Sequence, residues 1–451
     1  GCRACGASAL TPAIVARAAD VFAEHGADAW YDQGVDAFRP AGFVCEACGS
    51  DDLEQERDIL DVWFDSGSSH EAVLARRPEL TWPADIYLEG TDQYRGWFQS
   101  SMLVGLGTRD RAPYRSVLTH GFVVNEHGHK MSKSLGNDIP PQKVIGESGA
   151  DVLRLWVSMV DYRDEVRLGK EILARTVEAY RKIRNTFKYL LSNLYDFDPA
   201  VHRLDRGALL EVDRYALALW ADLSRRVREA YDTYDFQAIF QAINEFTTVH
   251  LSAFYLDVSK DRLYTLRADS RERRSAQTAQ YVITDGLARL VAPILSVTAD
   301  EIWSRLPGAR EDSVHLAEFQ AEAADWLDPA LLERWTRLRE VRDAVNLALE
   351  GARQQKLIGN ALSAHVTVSA SGALADLLEQ YAADLPPLFI TSTAEVRRRP
   401  SGGLEVEVAK AGGDKCLRCW RFVTDAAPDG DFEGLCGRCV EAVGGLRAAG
   451  H

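Results

Sequence analysis

All eight cysteines of this chain stand in Cys-x-x-Cys pairs: Cys2/Cys5, Cys45/Cys48, Cys416/Cys419 and Cys436/Cys439. The pattern constrains the fold at both ends. Two thiolates two residues apart supply half of a tetrahedral metal site and need a second pair to close it. The carboxy-terminal pairs are 16 residues apart, the spacing of a four-cysteine zinc ribbon or knuckle. The amino-terminal pairs are 39 residues apart, which leaves two readings open, a second structural zinc site or two reduced pairs without metal. With no cysteine outside a pair, zinc in a reducing, cytoplasmic setting explains the set better than disulfides do.

Between these ends the hydrophobic period changes twice. Residues 58–160 read as α/β, with short apolar strands at 62–64, 86–88 and 117–124 and a helix over 94–106. Strand–helix alternation predicts a parallel sheet that presents polar groups at the carboxyl ends of its strands. Glu89, Asp92 and Gln93 directly follow the strand at 86–88. In residues 161–350 the period becomes helical: Leu173, Val177, Tyr180, Ile183, Phe187, Leu190 and Leu194 recur at three and four. Stretches 216–234, 236–258 and 333–355 continue it. Thr298-Ala299-Asp300-Glu301 reads as a capping box opening one more helix after Pro293 ends the previous one. The sum is a helical bundle. Residues 351–410, with strands at 364–368 and 388–391 and a helix at 374–381, predict a small α+β subdomain. Ala411-Gly412-Gly413 then reads as a linker into the zinc module of residues 411–451. Residues 1–57, with an amphipathic stretch at 14–22, form the other cysteine-bearing module.

One stretch carries chemistry. Gly121–Asn137 reads GFVVNEHGHKMSKSLGN: a short strand at 122–124, a polar turn, then Lys130-Met131-Ser132-Lys133-Ser134. Two lysines three apart, hydroxyls between them and glycines on either side suit a mobile loop that holds a polyphosphate. The ammonium groups neutralise phosphate oxygens, the serines add hydrogen bonds, and glycine lets the backbone approach.

HGFVVNEHGHKMSKSLGN resembles the KMSKS signature of class I aminoacyl-tRNA synthetases, and three further blocks agree in order. Leu60–Ser69, LDVWFDSGSS, is similar to the isoleucine type of its block. Tyr87–Phe98, YLEGTDQYRGWF, is similar to the block lining the aminoacyl-adenylate pocket. Ala179–Thr186, AYRKIRNT, resembles the first helix of the tRNA-binding bundle. The resemblance implies an enzyme of the isoleucine type, with residues 58–160 the carboxy-terminal half of its Rossmann-like catalytic domain and residues 161–350 its anticodon-binding bundle. It implies that isoleucine is activated by ATP with Mg2+ and passed to tRNA(Ile). Lys133, assisted by Lys130 and Ser132, would stabilise the pyrophosphate electrostatically. His120, Gly121, Met131 and Lys133 would contact ATP. Glu89, Gly90, Asp92, Gln93, Trp97 and Trp63 would contact the aminoacyl-adenylate. Zinc would sit at Cys416, Cys419, Cys436 and Cys439, and a second ion at Cys2, Cys5, Cys45 and Cys48.

Two family features are not found. No His-x-Gly-His stands upstream of the Glu89 block, and no inserted hydrolytic domain precedes it; His127-Gly128-His129 fits neither the pattern nor the place. With Gly1 one residue before a cysteine pair, the expectation is a chain that starts mid-domain and is inactive alone. Rival readings are a valine, leucine or methionine enzyme of the same class, a non-catalytic tRNA-binding fragment, and a generic zinc-ribbon nucleic-acid protein. The net charge of −15 argues against grip on nucleic acid through bulk positive charge. It leaves local patches: Arg181/Lys182/Arg184, Arg225/Arg226/Arg228, Arg271/Arg273/Arg274 and Arg397–Arg399. No run of eighteen apolar residues predicts a membrane span, and a cytoplasmic monomer is expected.

Overall fold

Cysteines, not a large core, organise the first residues of the chain. The computed structural model describes residues 1–131, 138–427 and 430–448 and divides into two units, Gly1–His120 and Gly121–His451. In the first, α1 (Pro12–His25) starts where Thr11 caps it and Pro12 supplies its first turn. Single turns α2 (Ala29–Asp32) and α3 (Val35–Phe38) follow. Phe22, Trp30 and Phe38 meet edge to face, with Trp30 and Phe38 centroids 4.8 Å apart.

The expected strand at 62–64 is instead a helix, α4 (Val62–Gly67). The Asp61 carboxylate accepts from the Trp63 N–H at 2.8 Å and sets the helical start. A short apolar run cannot by itself tell strand from helix. The β–α–β unit is present: β1 (Ala84–Gly90), a 3-10 turn over Thr91–Arg95, α5 (Trp97–Arg109) and β2 (Tyr114–His120). β1 and β2 pair in parallel, with Glu89 opposite Thr119 and Gly90 opposite His120. The strand expected over 117–124 stops at His120. Its last residues form β3 (Val123–Asn125) of the second unit.

In the second unit α6 (Pro141–Ser148) and α7 (Ala150–Met159) lead to β4 (Val166–Leu168), which pairs in parallel with β3. The bundle follows as α8 (Lys170–Ser192), the turn α9 (Pro199–His202), α10 (Glu211–Asp232), α11 (Phe236–Glu245), α12 (Leu256–Thr265), α13 (Arg271–Val291), α14 (Ser296–Trp303) and α15 (Pro329–Gln354). Trp220, Trp303, Tyr255, Phe187 and Phe246 are fully buried among them. α11 and α12 are joined without a break by a π-helical stretch, Phe246–Tyr255. There Thr247, Thr248 and Ser252 bond back to the carbonyls of Ile243, Asn244 and Thr247, and such hydroxyls compete with the regular ladder. A buried ion pair locks the bundle: Asp213 takes both guanidinium nitrogens of Arg262 at 2.7 and 2.8 Å and the Tyr255 hydroxyl at 2.7 Å.

The capping box expected at Thr298 is absent, because Thr298 lies inside α14. Its N–H (2.7 Å) and hydroxyl (2.6 Å) both donate to Asp151 on α7, so a carboxylate from another helix caps this one. The small subdomain has β5 (Ala364–Ala370), α16 (Gly372–Gln380), α17 (Leu385–Phe389), β6 (Thr393–Arg398) and β7 (Glu405–Lys410), in sheet order β6-β5-β7. The expected strand at 388–391 is the end of α17. Pro386 and Pro387 suit a helical first turn, and Ile390 closes it at φ 59°. The chain ends in the hairpin β8 (Asp414–Lys415) and β9 (Phe422–Val423), then α18 (Gly437–Ala448). Among the described residues no helix is long and apolar enough to cross a membrane.

Candidate functional site

The parallel pairing of β1 and β2 sets Glu89-Gly90 beside Thr119-His120 at the carboxyl ends of both strands. The 3-10 turn that follows β1 carries Asp92 and Gln93, and Tyr94 OH lies 3.3 Å from Thr119 Oγ1. Gln93 is fixed: its Oε1 accepts from the Trp97 N–H at 3.1 Å, and its Nε2 faces Asp92 Oδ2 at 3.4 Å. Trp63, 43% exposed, lies over Gly96; a Cβ on Gly96 would stand 2.9 Å from the indole and 2.8 Å from Gln93 Oε1. Gly67 and Ser100 give α4 and α5 their close approach, since a Cβ on Gly67 would meet Ser100 at 2.7 Å. Trp97 plays a different part from Trp63. It stacks on buried Tyr87 (4.2 Å, 7°), and its indole N–H donates to the Ser66 carbonyl. The first unit thus gathers exposed Glu89 and Asp92, an amide and an accessible indole face. These can receive an ammonium group and an apolar side chain.

Sequence reasoning missed Tyr87, Gly96 and Asp61. Alternation along β1 was the available signal for Tyr87, and the Asp before an apolar run was the signal for the cap. Beneath α4, His70 is buried and its Nδ1 accepts the Trp82 indole N–H at 3.1 Å. Burial lowers its pKa. Arg109 lies 4.5 Å over Trp82 and holds Glu71 with both nitrogens, which lowers the Glu71 pKa.

In the second unit Gly121 donates to the Tyr162 carbonyl at 2.8 Å. A Cβ there would fall 2.0 Å from the Asp164 carbonyl oxygen, so only glycine fits. Asn125 Oδ1 accepts from the N–H of His127 and His129 and shapes the turn before Lys130. Lys130 is exposed and bridges to Val124, while Met131 packs toward Trp156, Val166 and Leu168. Ser132 and Lys133 lie outside the described residues.

Both cysteine quartets come together. Within each, the sulfurs lie within 4.8 Å of one another, and no cysteine is in a disulfide. Cys2–Cys48, Cys5–Cys45 and Cys419–Cys436 are each 3.7 Å apart. A Zn–S bond of about 2.3 Å gives a tetrahedron with an edge of about 3.8 Å, whereas a disulfide needs about 2.05 Å. The donor sets therefore fit zinc. The Cys436 N–H points at Cys416 Sγ, 3.3 Å away. The Cys416 thiol is held down to about 6: burial raises it, and the N–H groups of Cys419, Cys436 and Arg418 outweigh that.

Of the four basic patches, three have most of their arginines paired or tied down internally. Arg225 pairs with Asp222 and Glu229, Arg273 and Arg274 with Asp196, and Arg397, Arg398 and Arg399 with Glu395, Glu379 and Glu405. The remaining patch on α8 differs. Arg181, Lys182, Arg184 and Lys188 are exposed and form no ion pair among the described residues. Arg184 and Lys188 line a groove of about 340 Å³ with Arg305.

Comparison with known proteins agrees with this layout. Residues 9–169 match the family model of class I tRNA synthetases (I, L, M and V). Residues 213–368 match the anticodon-binding domain of tRNA ligases, and residues 413–442 the zinc finger found in FPG and IleRS. The fold is thus a class I catalytic-domain portion, an anticodon-binding bundle and a zinc-binding terminus. Curated isoleucine–tRNA ligases of Syntrophotalea carbinolica and Geobacter sulfurreducens are 50% and 48% identical over 97% and 98% of this chain. That of Carboxydothermus hydrogenoformans is 47% identical over 97%. The chain belongs to this isoleucine–tRNA ligase family. It spans about half the length of the curated relatives it matches, 48%, 49% and 48% in these three.

Proposed function

We propose that the protein activates isoleucine with ATP and transfers it to tRNA(Ile), as a cytoplasmic monomer. The observation that carries the reading is the grouping of Glu89, Asp92 and Gln93 at the carboxyl end of β1 with Trp63 of α4 over Gly96, in a chain about half identical to isoleucine–tRNA ligases. The isoleucine carboxylate attacks the α-phosphate, the adenylate forms and pyrophosphate leaves. No protein base is needed, because the carboxylate is already the nucleophile. Asp92 and Gln93 take the ammonium group, Trp63 and Trp97 border the side chain, and Glu89 and Gly90 meet the adenylate. His120, Gly121 and Met131 contact ATP, whose phosphates Mg2+ would screen when bound. Lys133, with Lys130 and Ser132, meets the charge growing on the pyrophosphate. A ribose hydroxyl at the tRNA terminus then attacks the adenylate carbonyl and takes the acyl group, and AMP leaves.

The functional division proposed is a zinc-bearing insertion at 1–57, catalytic residues 58–160, tRNA-binding residues 161–350, a small subdomain at 351–410 and a zinc module at 411–451. On an acidic protein the unpaired cations of α8 are the natural seat for tRNA phosphates. Charging of tRNA(Ile) transcripts with labelled isoleucine tests the whole. It is run on this chain joined to the part of a curated relative that it does not span. Charging lost on Lys133→Ala is the expected result. Charging that survives Lys133→Ala undamped removes the proposed role of the lysine loop.

A further inference from the structure

The carboxy-terminal zinc module meets α12 through arginines. Arg438, next to Cys439, binds the Asp261 carboxylate with both guanidinium nitrogens, Nη2 lying 2.9 Å from Oδ1. Arg421 reaches the same carboxylate at 3.4 Å. Thr265 Oγ1 also donates to Asp261, at 3.0 Å. Arg418, between Cys416 and Cys419, donates through Nη1 to the Thr265 carbonyl and to Cys439 Sγ at 3.7 Å. That carbonyl stands at the carboxyl end of α12, where helical carbonyls lack partners and the dipole is negative.

Charge makes the contact more than a dock. Arg421 and Arg438 face the Asp261 carboxylate and Arg418 the end of the helix, so these four residues together carry an excess of two positive charges. Four thiolates around one Zn2+ carry two negative charges, and Arg418 donates to one of those sulfurs. The local charge closes when the metal is in the module and the module is against α12. We propose that Arg418, Arg421, Arg438 and Asp261 couple zinc occupancy of this module to its docking on α12. Arg418 is a positioning residue that touches both a metal ligand and the helix, and Arg438, bound to Asp261, also meets the Cys419 thiol.

Zinc release to a chromogenic chelator tests this in the full chain, with the phase from the carboxy-terminal site assigned by Cys436→Ser. Asp261 touches no thiol, so Asp261→Asn probes the dock alone, and Arg438→Gln is the second variant. Both are expected to speed that phase about 10-fold, the size typical of losing a partner outside the ligand shell, and to leave the other phase unchanged. Stripping the metal from the unsubstituted chain is expected to raise hydrogen exchange across residues 256–265. Release rates unchanged in both variants, or exchange in 256–265 unaltered by stripping, overturns the coupling.

Discussion

Gly121 shows how far a single hydrogen atom decides local structure. Its missing side chain lets the backbone run against Asp164, and a methyl group there would overlap the Asp164 carbonyl. Gly121→Ala is expected to destabilise the second unit by about 3 kcal/mol, read from urea unfolding. Asp213 is the matching case for charge. It is fully buried, and Asp213→Ala leaves Arg262 buried without its counter-ion. The expected loss is about 3–5 kcal/mol. His70 gives a pH dependence. Its folded pKa lies below the ordinary 6.5 because it is buried. Below about pH 6.5 the unfolded chain therefore binds the extra proton first, and stability falls as pH drops through that window. Above it the histidine contributes no slope. His70→Gln should flatten unfolding midpoints of the first unit between neutral pH and pH 5. Glu71 acts lower down: Arg109 depresses its pKa from 4.5, so its contribution is present above that value and lost as pH falls through the folded one.

At the scale of elements, α8 carries the prediction. Arg181→Glu, Arg184→Glu and Lys188→Glu together should weaken tRNA binding by at least 10-fold and flatten its salt dependence. Stability should stay within about 0.5 kcal/mol, because these side chains are exposed and unpaired. A filter-binding titration at two salt concentrations checks it. The sequence made α8 legible through its buried stripe, and likewise β1 and α15. It misled where the deciding contact was not periodic. The run at 62–64 reads as strand until the Asp61 cap is seen. The run at 388–391 hides a helix end set by two prolines. Thr298 resembles a cap, but its partner is Asp151, more than a hundred residues away in the chain. Likewise, the sequence could count the four basic patches, but only the fold distinguishes paired arginines from unpaired ones.

For the molecule as a whole, the cysteine spacing announced one zinc site and left the other open; the fold brings both quartets to the same sulfur separation. Metal analysis should therefore find two zinc ions per chain, falling to one with Cys436→Ser. The proposed site residues Glu89, Asp92 and Gln93 stood out as a block because they lie at and just after the end of a strand. The packing of Trp97 was not legible, since stacking on Tyr87 depends on the β–α crossover. Which amino acid is activated is read from ATP–pyrophosphate exchange with isoleucine, valine, leucine and methionine, using this chain joined to the part of a curated relative that it does not span. Exchange should be strongest with isoleucine. Valine should trail by at least about 4-fold, the worth of one buried methylene at about 0.8 kcal/mol, and Lys133→Ala should abolish the signal. Exchange strongest with another amino acid, or none with isoleucine, would contradict the proposed activation of isoleucine.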